Sequence, residues 1–118
     1  MNDNFYFTFE RLEAYQVACE ALDLGIENRL RFRGLPGEIA SQLERALVSM
    51  VANLAEGAGR ESQPDRKRHF AIARGSATEA GALVEIAFRC RVLTEEVRSE
   101  MRSRLARVVA MLTGLIRR

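Results

Sequence analysis

Apolar residues recur at helical spacing along four stretches of the chain, with short polar breaks between them. Leu12, Tyr15, Cys19, Leu22 and Ile26 follow alternating steps of three and four, the seam of a bundle helix. The pattern fades in RFRGLPG, where Gly34, Pro36 and Gly37 end it. Leu43, Leu47, Met50 and Leu54 form a second stripe. Ser41 with Glu44 is a capping box that could open this helix, and a start nearer Pro36 is the alternative. Gly57 is placed as its left-handed C-cap. Ser62 is the expected N-cap of a third helix over about Asp65–Arg91, with Pro64 tolerated in the first turn. Phe70, Ala73, Ala77, Leu83, Val84, Ala87 and Phe88 cover a broad face of it. Thr94, followed by Glu95 and Glu96, opens a fourth, whose stripe is Val97, Met101, Leu105, Val108, Leu112 and Leu115.

Four helices of roughly 18–27 residues, each ~30 Å or longer at 1.5 Å per residue, predict an all-α, up-down-up-down antiparallel four-helix bundle. Residues 1–118 read as one domain, large enough to bury a core without disulfides or metal. Residues 1–8 are expected to form an N-terminal arm. Its FYFTF segment (Phe5 to Phe9) alternates aromatic and polar residues and is expected to fold back over its own core, docking on a neighbouring subunit being the alternative.

Polar residues interrupt the second and third helices on one side. Arg45, Ser49, Asn53 and Glu56 share a face of helix two; Ile72, Ser76 and Glu79 share a face of helix three, with Gly75 alongside. In an antiparallel pair, one register sets Ser49 opposite Ser76 and Arg45 opposite Glu79. Small residues at Ser49, Gly75 and Ser76 would permit close approach. Arg45 and Glu79 are expected to form a mostly buried ion pair, and Asn53 to hydrogen-bond across the seam, because unpaired buried groups are expensive. The seam reads first as a device fixing register, and second as a ligand pocket or recognition surface.

Charge is unevenly distributed. Through Arg60 the formal charge is −3, from six basic and nine acidic residues; from Glu61 onward it is +5, from twelve and seven. Seventeen of the eighteen basic residues are arginine, a type suited to bidentate phosphate recognition, although GC-rich coding favours it too. Arg66, Lys67 and Arg68 cluster at the start of helix three. Arg98 and Arg102 share a face of helix four, and Arg104, Arg107, Arg117 and Arg118 extend it. These are the candidate nucleic-acid contacts. Helical spacing also allows Glu95–Arg98 and Glu100–Arg104 pairs, which would leave solvated surface instead.

Other chemistry finds little support. His69 stands beside three cations without a metal-ligand pattern, so it reads as a surface group and no metal is expected. No phosphate loop, dinucleotide fingerprint or Ser-His-Asp constellation is present, so no cofactor or catalysis is expected. Helical chorismate mutases use bundle arginines and a glutamate, but Arg45, Arg74 and Glu79 match their spacing poorly. Cys19 and Cys90 form no CxxC pair and read as small buried hydrophobes, with a disulfide or redox role as the lesser alternative. No apolar run approaches the roughly 18–20 residues of a membrane span, and MNDNFYFTFE lacks signal-peptide features. The cytosol is the expected compartment.

Phe9, Leu12 and Tyr15, then Gln42, Leu43, Arg45, Ala46 and Ser49, the block Asn53-Leu54-Ala55-Glu56-Gly57 with Arg60, and finally Phe70, Ala73, Gly75, Ser76 and Glu79 together resemble a known pattern. It is that of the bacterial four-helix-bundle proteins encoded within 23S rRNA intervening sequences. More distantly, the chain is similar to the accessory variability determinant proteins of diversity-generating retroelements. RGLPGEIASQL before helix two is more compact than the family pattern. The resemblance implies a homopentamer, and the retroelement relatives imply a basic surface or channel for nucleic acid. It brings no settled activity. A scaffold binding another protein through its helix faces is the rival class.

Overall fold

The computed structural model describes residues 7–118 of the chain. Four helices carry the fold: α1 (Glu13–Glu27), α2 (Ile39–Ala58), α3 (Gln63–Arg89) and α4 (Glu95–Arg117). Two 3-10 turns, Thr8–Arg11 and Arg31–Gly34, precede α1 and α2, and no strand occurs among the described residues. Each helix packs on its sequence neighbour, and α4 closes the ring on α1. Paired contacts running in opposite directions make every adjacent pair antiparallel: Arg29–Glu44 with Gly25 beside Leu47, Ser49–Ser76 with Asn53–His69, Arg74–Thr113 with Glu85–Arg98, and Glu20–Arg104 with Gly25 near Met101. The all-α four-helix bundle expected from the periodicity is therefore what forms. No described helix is long and apolar enough to cross a membrane.

Local chemistry sets most boundaries. The Ser62 hydroxyl accepts from the Asp65 amide and the Thr94 hydroxyl from the Val97 amide, opening α3 and α4 as expected. At the end of α3, Arg91 adopts φ 65° and the Val92 amide reaches back to the Ala87 carbonyl, so the helix stops two residues before the expected Arg91. For α2, the start lies before Ser41: the Gln42 amide bonds the Glu38 carbonyl, and Glu44 turns to Arg29 rather than closing a capping box. Nor is Gly57 a left-handed cap. It is helical and buried, and the helix runs on to Ala58. A Cβ at Gly57 would lie 2.8 Å from two Phe70 ring carbons and 3.1 Å from the Arg66 carbonyl. Its role is close approach to α3.

The core joins Leu43, Leu47, Met50 and Leu54 of α2 to Phe70, Ala73, Ala77 and Val84 of α3 and Met101, Leu105, Val108 and Leu112 of α4. On α1 the buried residues are Ala14, Val17, Ala18, Ala21 and Gly25. The expected series Leu12, Tyr15, Cys19 and Leu22 is only partly buried, and Ile26 is exposed. Small side chains let α1 sit close to its neighbours, and the larger ones flank that contact. Of the N-terminal arm, Phe5 and Tyr6 lie outside the described residues. Phe7 stacks on Phe9 at 5.1 Å, Phe9 packs on Tyr15 at 4.7 Å, and the Thr8 hydroxyl donates to the Ala58 carbonyl. The described part thus folds back on its own bundle, although Phe7 stays 68% exposed.

Candidate nucleic-acid interface and the polar seam

A directional hydrogen-bond chain runs along the α2–α3 seam. The Ser49 and Ser76 hydroxyls meet at 2.9 Å, in the register the sequence implies. Asn53 Nδ2 donates to the Ser49 carbonyl at 3.0 Å, which can only accept, so the amide orientation is fixed. Asn53 Oδ1 then faces His69 Nδ1 at 3.3 Å and must be met by an N–H. From the other end, Arg68 can only donate, and it reaches His69 Nε2 at 3.2 Å. Both ends therefore require the Nδ1–H tautomer. Asn53 does bond across the seam, as expected, and its partner there is His69. His69 itself is buried, contrary to its reading as a surface group.

The remaining seam residues depart further. Arg45 and Glu79 are both exposed, and no ion pair joins them within 4.0 Å. An open groove of about 190 Å³, lined by Gln42, Ala46, Ser49 and Ser76, lies between them. At such a rim both charges keep their water, and pairing would return at most ~1 kcal/mol. Gly75 is also exposed, with open space where a Cβ would stand, so it is not part of the close contact. Glu56 pairs with Arg60 at 2.6 Å, and Arg60 also approaches Asp65 at 3.9 Å.

The candidate cations divide by what they touch. Arg98 is 25% exposed, lies 4.7 Å from the Phe88 ring, and stands 3.5 Å from both Glu85 and Glu95. Its Nε and Glu85 Oε2 are buried and make no hydrogen bond, so that contact is purely coulombic. The Glu95 pair is the one expected from helical spacing. Arg104 instead crosses to Glu20 of α1 at 3.3 Å rather than bonding Glu100. Arg68 is engaged by Asp65 and His69, Lys67 donates to the Arg118 carbonyl at 3.4 Å, and Arg66 is half-buried with an unpartnered Nε. Arg102 and Arg107 are exposed, and among the described residues neither makes an ion pair or hydrogen bond through its side chain. Arg102 borders a groove of about 370 Å³ between α3 and α4, beside Gly81 and Ala106.

An interaction the sequence did not suggest ties α3 to α4: Arg74 donates to the Thr113 hydroxyl, which donates in turn to the Val109 carbonyl. Cys19 and Cys90 are free thiols; Cys90 is exposed rather than buried. A hydrogen bond with Cys19 raises the Tyr15 phenol above its ordinary value, with burial and the nearby Cys19 and Glu10 charges adding to it. No group of three His, Cys, Asp or Glu side chains among the described residues is placed to hold a metal.

Residues 10–114 match the family described as 23S rRNA-intervening sequence protein, and the chain belongs to that family. The same fold occurs in a crystal structure of a protein of unknown function from the S23 ribosomal protein family of Bacteroides thetaiotaomicron. That structure has a TM-score of 0.81 and 18% identity, covering 89% of this chain and 99% of that one. No curated protein matches the chain.

Proposed function

We propose, from membership of the 23S rRNA-intervening sequence protein family, that the chain is a non-catalytic cytosolic homo-oligomer with an accessory role at nucleic acid. In this reading it assembles as a pentamer and contacts phosphates through α4. The supporting observation is that Arg102 and Arg107 stand exposed and unpaired, within the half of the chain that carries a formal charge of +5. The cations engaged by Glu20, Glu85, Glu95 and Asp65 would have to leave those partners to contribute.

The test is binding of a structured RNA at two salt concentrations, with subunit mass read by light scattering. Binding should weaken steeply with salt, and replacing both Arg102 and Arg107 with glutamine should lower the logarithmic salt slope by roughly 1–2. A five-fold subunit mass supports the pentamer. A second reading, a protein-binding scaffold, draws on the α2 face, where Val48 is 52% exposed beside an open groove of about 640 Å³ lined by Ser41, Glu44 and Arg45. A chain indifferent to RNA at low salt would favour it.

A further inference from the structure

The fold moves two arginines from the acidic half of the sequence to the connection between α3 and α4. Phe32 and Leu35 are buried, which holds the 3-10 turn Arg31–Gly34 against the end of the bundle. A Cβ at Gly34 would stand 3.0 Å from Val92 Cγ1, so the backbone of that turn passes directly over the α3–α4 connection. Arg31 and Arg33 are thereby brought to the same end as Arg89 and Arg91. All four are exposed. Among the described residues, none makes an ion pair or hydrogen bond through its side chain.

The conformation of Arg91 is a second, independent observation. It holds φ 65° at the residue after the Cys90 C-cap of α3, the left-handed site where glycine is the favoured residue. A side chain kept there against its backbone preference is a pointer to use beyond the fold. Among the described residues no carboxylate pairs with it: Glu44 is turned to Arg29 and Glu95 to Arg98. Glu27, Glu38 and Glu96 share this end and keep its net charge low. Affinity here must come from guanidinium forks meeting phosphate oxygens, not from bulk charge.

We infer that Arg31, Arg33, Arg89 and Arg91 form a phosphate-binding site for a nucleic-acid backbone, distinct from Arg102 and Arg107. Two arginines from the 3-10 turn and two from the end of α3 and the connection after it suit successive phosphates of one strand better than a single anion. Leu30, 70% exposed beside them, offers apolar contact to a sugar or base between those phosphates. The inference rests on the nucleic-acid reading above but places the contact elsewhere.

Fluorescence anisotropy with a labelled RNA hairpin tests it on the full chain at low and moderate salt. Arg31→Gln with Arg33→Gln, and Arg89→Gln with Arg91→Gln, should each weaken binding about tenfold at low salt and lower the salt slope by roughly 1–2. Arg91→Gly is the companion variant. Glycine suits the backbone, so it should raise the melting temperature while weakening RNA binding about threefold, separating contact from folding. Wild-type binding that survives all these changes and falls only with Arg102→Gln and Arg107→Gln overturns this site and leaves the proposed function standing. No binding by the wild type at low salt overturns both. Displacement of RNA by polyglutamate as readily as by polyphosphate would make this an acidic-protein site and overturn the nucleic-acid assignment.

Discussion

Replacing Gly57 with alanine sets two effects of known sign against each other. Alanine in a helix interior is favoured over glycine by about 1 kcal/mol. At Gly57 the new methyl would sit 2.8 Å from two carbons of the Phe70 ring and 3.1 Å from the Arg66 carbonyl. Phe70 is only 3% exposed, so its ring has little room to swing, and a backbone oxygen moves only with its helix. Overpacking of this kind costs typically 1–3 kcal/mol, so the net change should be destabilising, by about 1 kcal/mol. Gly75→Ala is the matched control. It lies on α3 with nothing within 4 Å of the position its methyl would take, so it should gain about 0.5–1 kcal/mol. The two variants should therefore differ by roughly 2 kcal/mol, or about 8 °C in melting temperature for a chain of this size. Thermal unfolding followed by far-UV circular dichroism reads this directly. A Gly57→Ala, Phe70→Leu double variant should recover part of the loss. If Gly57→Ala stabilises as much as Gly75→Ala, the close α2–α3 approach is not what selects glycine, and the packing argument fails.

Asn53→Ala strands the His69 Nδ1–H and should cost about 1–3 kcal/mol in urea unfolding; a loss below ~0.5 kcal/mol would mean the seam is wet and the bond unimportant. Imidazole nitrogen shifts should show His69 as the Nδ1–H tautomer, and a dominant Nε2–H form would reverse the assigned chain. Arg45→Ala and Glu79→Ala should each change stability by less than ~0.5 kcal/mol, since both are exposed and unpaired; a large loss would restore the buried pair. The Tyr15 phenol is raised in the folded chain, so the native state binds more protons than the unfolded one above the ordinary value of 10.0. Stability should then fall as pH climbs past about 10, and Tyr15→Phe should flatten that fall; an unchanged slope would remove Tyr15 as its cause.

What was legible in the sequence was local or strongly periodic. Ser62 and Thr94 announce their helices because capping needs only the residue and the amide three positions on. The core faces of α2 and α4 were clear because leucines and methionines recur without competition. On α1 two series run at the same spacing, and the pattern favours the larger residues although the Ala14, Ala18, Ala21 side makes the tighter contact. Helical spacing found the local Glu95–Arg98 pair but not the distant one: it points Arg104 to Glu100, while its partner Glu20 is 84 positions away. The burial of His69 had a usable signal, hidden by the cations before it. His69 continues the run Ala73, Ala77, Ala80, Leu83, Val84 and Ala87 back by one turn.

The block that carried the family likeness turns out to have a packing explanation. Asn53 and Gly57 lie one turn apart on α2, and each answers a feature of one turn of α3. Asn53 bonds His69, while Gly57 makes room for Phe70 and the Arg66 carbonyl. A polar bond that demands one partner and a contact that tolerates no side chain together exclude neighbouring registers, since sliding α3 by a turn would break both. Residues of this kind specify a bundle without implying any chemistry. The unpaired arginines show the opposite pattern: Arg31, Arg33, Arg89 and Arg91 add nothing to the core, and Arg91 opposes its own backbone preference. Sequence likeness confined to the seam should therefore predict this fold and not what it binds, and partner choice should track the charges at the α3–α4 end and along α4.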